Sequence, residues 1–505
     1  MIKNGRLNAV IARPALVLGA LAIALHLWAN AGYGIFRDEL YYIVCGWHLA
    51  WGYMDQPPLS PAIAAASHAI FGIWLPGFRI APTLCFAATV VLTVQLVRLL
   101  GGGLFAARLA GITVFAAGAL EVFGLLLTTD LLQPPAWTGC TYALIRAVRD
   151  GQRRWWLVLG LVAGVAFLGK YNVAFHVAAL GLALLATPQR RALLTWEPWA
   201  AAGIVLAFAA PNLLWQQLHG WPFVAHIRDI AAHHTEHLSP LAFAAQELLL
   251  LNPATLPVWG AGVVALLAWP RFRDVRWIGI GFLLLMVFGN ATQGKPYYVA
   301  PAYPGVIAAG AVAWEAWVAR AAIRTALTGL VIAGGLALMP LFLPVLPPAR
   351  LAAYMRWLGL LPSTGEILEL GALPQYFADM FGWQAFADAI HAAWRALPPD
   401  QQSRAVFIGR NYGEAAAIDV LTHGPDAIST HQSYWYWGPK GHDGSVVLHV
   451  GETRTRMLQW FRQVEQVGHI PPGWGMPFEV DQPIWLCRGL RMPMTQFWAT
   501  HRTDN

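Results

Sequence analysis

The stretch GYGIFRDELYYIVCGWHLAWGYMDQPPLSP, residues 32–61, is a polar island between two long apolar segments. Arg37, Asp38 and Glu39 stand in a row, and Asp55 precedes Gln56-Pro57-Pro58. Carboxylates beside membrane spans are costly unless they line a cavity or do chemistry. The simpler alternative is a solvated loop, but aromatic residues are threaded through the charges. Residues 37–51 and 60–74 are each expected to form a short amphipathic helix lying on a membrane, with Trp47, Trp51 and Trp74 at headgroup depth.

The membrane itself is implied by composition. The 505 residues are 57% hydrophobic and 12% charged, with a mean hydropathy of +0.50. A soluble domain carries about 25% charged residues, so half that share over this length marks a polytopic membrane protein. The net charge is +7. In such a chain this excess belongs to short loops on the cytoplasmic side rather than to a nucleic-acid site, and no basic-aromatic patch argues for nucleic acid. Cys45, Cys85, Cys140 and Cys487 are far apart and form no CxxC, which indicates neither a disulfide framework nor a cysteine zinc site.

A crossing helix needs about 20 mostly apolar residues. About eleven segments qualify, at 11–30, 79–100, 104–127, 131–148, 155–169, 173–187, 199–216, 241–269, 277–290, 299–318 and 325–346. The first follows a short basic stretch without a small-residue cleavage site, and is expected to be an uncleaved signal-anchor. Every second connection is basic: Arg98 and Arg108; Arg146, Arg149, Arg153 and Arg154; Arg190 and Arg191; Arg271, Arg273 and Arg276; Arg320 and Arg324. The positive-inside rule then places these connections and the N-terminus in the cytoplasm, and residues after 346 outside. The other connections hold Asp38, Glu39, Asp55, Asp130, Lys170, a long loop at 219–240, and Lys295 followed by Pro296-Tyr297-Tyr298. Nearly all unusual polar groups thus fall on one face, which points to an extracytoplasmic site.

From about Pro347 polar residues rise. Residues 405–409, 446–450 and 484–488 read as strands, with helices at 413–421 and 457–467. The expected class is mainly α and polytopic, with a transmembrane domain at 1–346, whose first outer loop is 31–78, and a small α/β domain at 347–505.

The motif DELY after the first span, followed by GYMDQPPL, resembles the GT-C membrane glycosyltransferases of families 39 and 83. These include the protein mannosyltransferases and the aminoarabinose–lipid A transferases. The segments around Leu373–Phe377, Arg410–Ala415 and Ser433–Pro439 are similar too. The family's second motif usually reads acid-Lys-Pro-Pro, whereas Gln56 stands here in place of the lysine. The resemblance implies a polyprenyl-phosphate-linked sugar donor, an acceptor hydroxyl on a lipid, glycan or protein, and a site at the outer face of a bacterial inner membrane. It makes Asp38 the catalytic base and the juxtamembrane helices the roof of the active site, and with one base the expected reaction is a direct, inverting displacement.

Sugar transfer needs a base, groups to hold the leaving phosphate, and a dry groove for the isoprenoid. Asp38 and Asp130 each have a structural alternative as helix N-caps. Glu39 is a candidate binding residue that could equally pair with Arg37, and Asp55 is a second acid of the loop. Asp130 suits sugar hydroxyls. Lys295, with Tyr297 and Tyr298 beside it, suits a phosphate, as do Lys170 and Arg79. For these three cations the alternative is snorkelling to headgroups. His233 and His237, four residues apart, are weak candidates for a divalent ion, without a closed ligand set. The rival reading of the whole chain is a transporter or flippase of polyprenyl-linked lipids. Such a protein places its charges near the midplane and shows repeats, and no internal repeat is seen.

Overall fold

The computed structural model describes residues 2–234, 237–362 and 369–503, with side chains from residue 13 onward except those of 233 and 234. The chain divides into two compact units. One comprises 1–32, 76–215 and 237–345; the other comprises 33–75, 216–236 and 346–505.

The first unit is helical among its described residues. Ile80–Leu99, Glu197–Leu218 and Ala321–Leu341 are long and apolar enough to cross a membrane, and six crossings result if three bent pairs each count as one. Other expected spans are shorter helices, such as Gln133–Val148, Arg154–Phe167, Arg276–Ala291 and Tyr303–Trp317. At 14 to 16 residues each falls short of the roughly 20 that a straight crossing needs. The expected segment 104–127 bends by 69° between Leu104–Ala116 and Gly118–Leu125, where Ala117 is extended. The segment 241–269 bends by 87° at Asn252, which takes a left-handed φ of 69° and caps the next turn through the Ala254 N–H. Helices Leu256–Ala268 and Tyr303–Trp317 pack through Gly262 and Gly310. A Cβ on either would strike the other helix's backbone, the small-residue contact by which apolar helices associate without a hydrophobic driving force.

Geometry gathers the basic connections at one end of this unit. Arg149 Nη1 donates to the Leu99 carbonyl at 2.9 Å, and Arg271 Nη2 to that of Gly101 at 2.8 Å. Arg153 pairs with Glu197 at 2.9 Å. The Glu315 carboxylate accepts the N–H groups of Gly103, Phe105 and Ala106, satisfying the free donors that begin a helix. Arg324 donates to the Glu315 and Val318 carbonyls. Helix Arg154–Phe167 runs from this end to Lys170, about 21 Å at 1.5 Å per residue.

The second unit holds five strands: β1 Ala405–Gly409, β2 Asp426–Ser429, β3 Val446–Val450, β4 Phe461–His469 and β5 Pro483–Leu490. Their order is β2-β1-β3-β5-β4. β1 runs parallel to β2 and β3, while β5 is antiparallel to β3 and β4. Val406, Ile408, Val447 and Cys487 share a core with Phe461, Phe497 and Trp498. On β1, Phe407 alternates to the other face and meets Phe386 edge-on at 5.9 Å, on helix Trp383–Arg395. Two sequence expectations change here. The helix expected at 457–467 is a short helix, Arg454–Trp460, followed by β4. Apolar residues at 457, 461 and 464 have helical spacing, but backbone pairing with β5 decides. β2 was not expected, because only Ala427 and Ile428 in it are apolar.

The opening loop belongs to this unit. Its helices are Arg37–Trp47, Leu59–Phe71 and Leu75–Phe78. The first is not the expected surface helix, since every residue from Glu39 to Gly46 is buried. Trp47, Trp51 and Trp74 are exposed.

Candidate active-site residues

Asp38 and Glu39 are adjacent but differently employed. Helix Arg37–Trp47 begins after Phe36, and the Glu39 carboxylate accepts the Phe36 N–H at 2.9 Å. Glu39 therefore closes the helix start, a role the sequence reading offered to Asp38. Asp38 Oδ1 instead accepts the Tyr412 hydroxyl at 2.7 Å. Among the described residues Oδ2 has no hydrogen-bond partner, and the side chain is 26% exposed. Burial lifts the Tyr412 phenol well above its ordinary range, so it stays a donor at neutral pH.

Arg37 locks this arrangement. Its guanidinium lies 3.7 Å from Asp38 Oδ1 and 3.7 Å from Asp379 Oδ2, and 5.3 Å from the centre of the Tyr412 ring. The Arg37 N–H also donates to the Asp379 carbonyl at 3.0 Å. Burial works against the Arg37 charge, but Asp379, Tyr412 and Asp38 hold it protonated. Glu479 is pushed upward by burial and then by Asp379, and accepts from Asn411 Nδ2 at 3.3 Å.

Asp55 Oδ1 accepts the Tyr41 hydroxyl at 2.9 Å, and that hydroxyl oxygen accepts the Ser433 N–H at 3.2 Å. Burial pushes the Asp55 carboxyl up to about 7; the Tyr41 hydrogen bond opposes this and the Asp38 charge adds to it. Tyr41 and Tyr412 have ring centres 4.5 Å apart, so the two acids are linked through two phenols. Gln56, in the place of the family's lysine, is buried with Nε2 3.8 Å from Cys45 Sγ.

In the first unit a second cluster forms. Lys170 Nζ donates to both Asp130 oxygens, at 2.8 and 2.7 Å. It also lies 4.6 Å from the Tyr298 ring centre and 5.8 Å from that of Tyr297. Asp130 is not the cap of the following helix, which starts at Gln133 after Leu132. Gln133 Nε2 donates to the carbonyls of Ala166 and Lys170 at 3.3 and 3.4 Å, which fixes the corner that presents the lysine. The sequence placed the two phenols beside Lys295; the structure also brings Lys170 onto them. Lys295 is half-buried where the turn Pro296–Ala302 begins. Arg79 is wholly buried, so its charge does not snorkel.

His237 is exposed, and the His233 side chain lies outside the described residues. Among the described residues no three His, Cys, Asp or Glu side chains gather as a metal site.

Sequence reasoning missed Tyr412, Tyr41, Asp379 and Glu479 as partners of the acids. Only the family-like segment around Arg410–Ala415 hinted at Tyr412, and no spacing rule connects residues 374 positions apart.

Residues 55–215 match the family of dolichyl-phosphate-mannose-protein mannosyltransferases. Lipid A galacturonosyltransferase RgtD of Rhizobium johnstonii is 28% identical over 282 residues, covering 52% of this chain and 56% of that protein. The undecaprenyl phosphate-alpha-4-amino-4-deoxy-L-arabinose arabinosyl transferase of Pseudomonas aeruginosa is 29% identical over 277 residues, covering 49% and 48%. The chain thus spans about half the length of the curated relatives it matches. The crystal structure of ArnT from Cupriavidus metallidurans bound to undecaprenyl phosphate superposes with a TM-score of 0.61 at 14% identity, over 93% of this chain and 97% of that one. Motif, family match and fold agree in one likeness: the chain is similar to the membrane glycosyltransferases of the GT-C fold that draw on polyprenyl-phosphate sugars.

Proposed function

We propose that the protein transfers a sugar from an undecaprenyl-phosphate donor to an acceptor hydroxyl, with Asp38 as the base. The observation that carries this reading is the state of the Asp38 carboxylate. One oxygen is held by Tyr412, while the other has no protein partner among the described residues and the side chain reaches solvent. A base needs a fixed carboxylate with one lone pair open to the substrate.

The acceptor oxygen attacks the anomeric carbon as Asp38 takes its proton. The bond from that carbon to the phosphate oxygen breaks, and polyprenyl phosphate leaves with the electron pair. A single displacement inverts the anomeric centre. Lys295 and Arg79 suit the leaving phosphate. Lys170 already has its charge met by Asp130, so that pair suits sugar hydroxyls, offering both donors and acceptors. One relative is named as a lipid A galacturonosyltransferase and another as an undecaprenyl phosphate-aminoarabinose arabinosyl transferase, which supports a lipid acceptor in a bacterial envelope. Basic connections then lie in the cytoplasm, and residues 347–505 form a periplasmic domain.

The test is transfer by purified protein in liposomes, with undecaprenyl-phosphate-linked sugars and lipid A, read by mass spectrometry. The expected product carries one added sugar of inverted configuration. Movement of the donor across the bilayer without any product would favour a flippase and overturn the reading.

A further inference from the structure

The basic end of the first unit contains a cavity of about 400 Å3 lined by Thr187, Gln189, Arg273, Asp274, Arg276 and Ile280. Its volume is within the range of small-ligand sites. It is built by two connections that are far apart in sequence, Pro188–Leu194 and Pro270–Val275. Helix Arg276–Ala291 starts at its wall, and the N-terminus of a helix favours negative charge.

Two polar atoms in this lining are unsatisfied among the described residues. Arg276 Nε and Gln189 Oε1 are both buried and have no hydrogen-bond partner. One is a donor that asks for an anionic oxygen, and the other an acceptor that asks for a hydroxyl or N–H. Arg273 pairs loosely with Asp274 at 3.7 Å, so the lining of two arginines and one aspartate carries a net charge of +1. A phosphodiester carries the matching single negative charge.

The same connection also serves an apolar groove. Leu193 of Pro188–Leu194 lines it with Leu184, Trp156, Leu159 and Leu180, around Gly160. Leu184 and Thr187 are three residues apart, so a polar chamber and an apolar groove lie along one short run of chain. Trp196 and Trp199, which follow, are exposed, as is common for tryptophans at a membrane interface.

We propose that this cavity binds the head of an anionic glycerophospholipid. Arg276 and Arg273 hold the phosphodiester, Gln189 accepts a headgroup hydroxyl, and one acyl chain lies along the Leu184–Leu193 groove. Basic pockets between membrane helices have this use elsewhere. The site shares no residue with those proposed for sugar transfer and does not depend on their assignment.

The experiment is native mass spectrometry of the full chain in detergent, titrated with phosphatidylglycerol, phosphatidic acid, phosphatidylcholine and inorganic phosphate. Phosphatidylglycerol should bind at one per chain and more tightly than phosphatidylcholine. Arg276→Gln and Arg273→Gln should each weaken it about tenfold or more, the effect of losing a charge-assisted contact. Gln189→Leu should weaken phosphatidylglycerol but leave phosphatidic acid, which lacks the headgroup hydroxyls, unchanged. Arg98→Gln, on an exposed arginine outside the lining, should change nothing. Arg273 is exposed, so its variant reports even if Arg276→Gln fails to fold. Equal binding of phosphatidylcholine, or an equal loss in Arg98→Gln, would overturn the proposal. Inorganic phosphate that saturates the cavity and displaces the lipid would overturn the lipid reading in favour of a soluble anion.

Discussion

Asp38→Asn separates chemistry from structure at a single atom. The substitution keeps the shape, and an amide oxygen still accepts the Tyr412 hydroxyl now 2.7 Å from Oδ1. Helix Arg37–Trp47 keeps its start, because Glu39 rather than Asp38 receives the Phe36 N–H. What is lost is the basic lone pair on Oδ2. A positioned base contributes about 10²–10⁴ in rate, or about 2.7–5.5 kcal/mol of barrier. The Asn variant should therefore insert, melt close to wild type and bind donor, yet transfer sugar at least about a hundredfold more slowly. Glu39→Ala is the control with the opposite signature. Losing a cap costs about 0.5–2 kcal/mol of stability, with no comparable loss of the chemical step. Single-turnover transfer in reconstituted protein measures the rate, and thermal unfolding of the same samples measures the cap. Transfer by Asp38→Asn within a few fold of wild type would refute the base assignment and the family role carried over to this residue.

Three further outcomes are expected. Lys170→Met leaves Asp130, only 8% exposed, without its cation, and Asp130→Asn leaves the ammonium against two phenols; a double-mutant cycle should show coupling of about 0.5–3 kcal/mol, and additive effects would dissolve the pair. The Asp55 carboxyl, pushed up to about 7 from 3.8, holds a proton in the folded chain that the unfolded chain releases. Stability should therefore fall as pH rises from about 4 to about 7 and level off above that, whereas Asp55→Asn loses this slope; matching unfolding midpoints against pH in the two proteins would contradict it. Reporter fusions at Arg153, Arg190 and Arg273 should read cytoplasmic and those at Lys295 and Arg410 periplasmic, and a cytoplasmic signal at Arg410 would reverse the assigned orientation.

Much of the helical framework was legible because apolar length and charge bias are local properties. The basic connections announced themselves by residue type, and Arg149, Arg271 and Glu315 do bind backbone at a common end. β1 and β3 were readable as short apolar runs, while β4 was not, since only its pairing with β5 makes it a strand. The acids were visible as outliers in an apolar chain. Their partners were not, because Tyr412 reaches Asp38 across 374 residues and Ser433 reaches Tyr41 across 392. Those contacts come from tertiary packing, which one sequence does not encode by spacing.

The corner at Gly101–Gly103 has a mechanical meaning. Arg271 grips the Gly101 carbonyl, and Glu315 accepts the N–H groups of Gly103, Phe105 and Ala106 around the start of Leu104–Ala116. Ile80–Leu99, Leu104–Ala116 and Tyr303–Trp317 are thereby bolted together at one end, with three glycines leaving no side chain to pry the joint apart. A frame pinned at this corner is expected to move less here than where Lys170 meets Asp130, and slower amide exchange along Leu104–Ala116 than around residue 170 would show it.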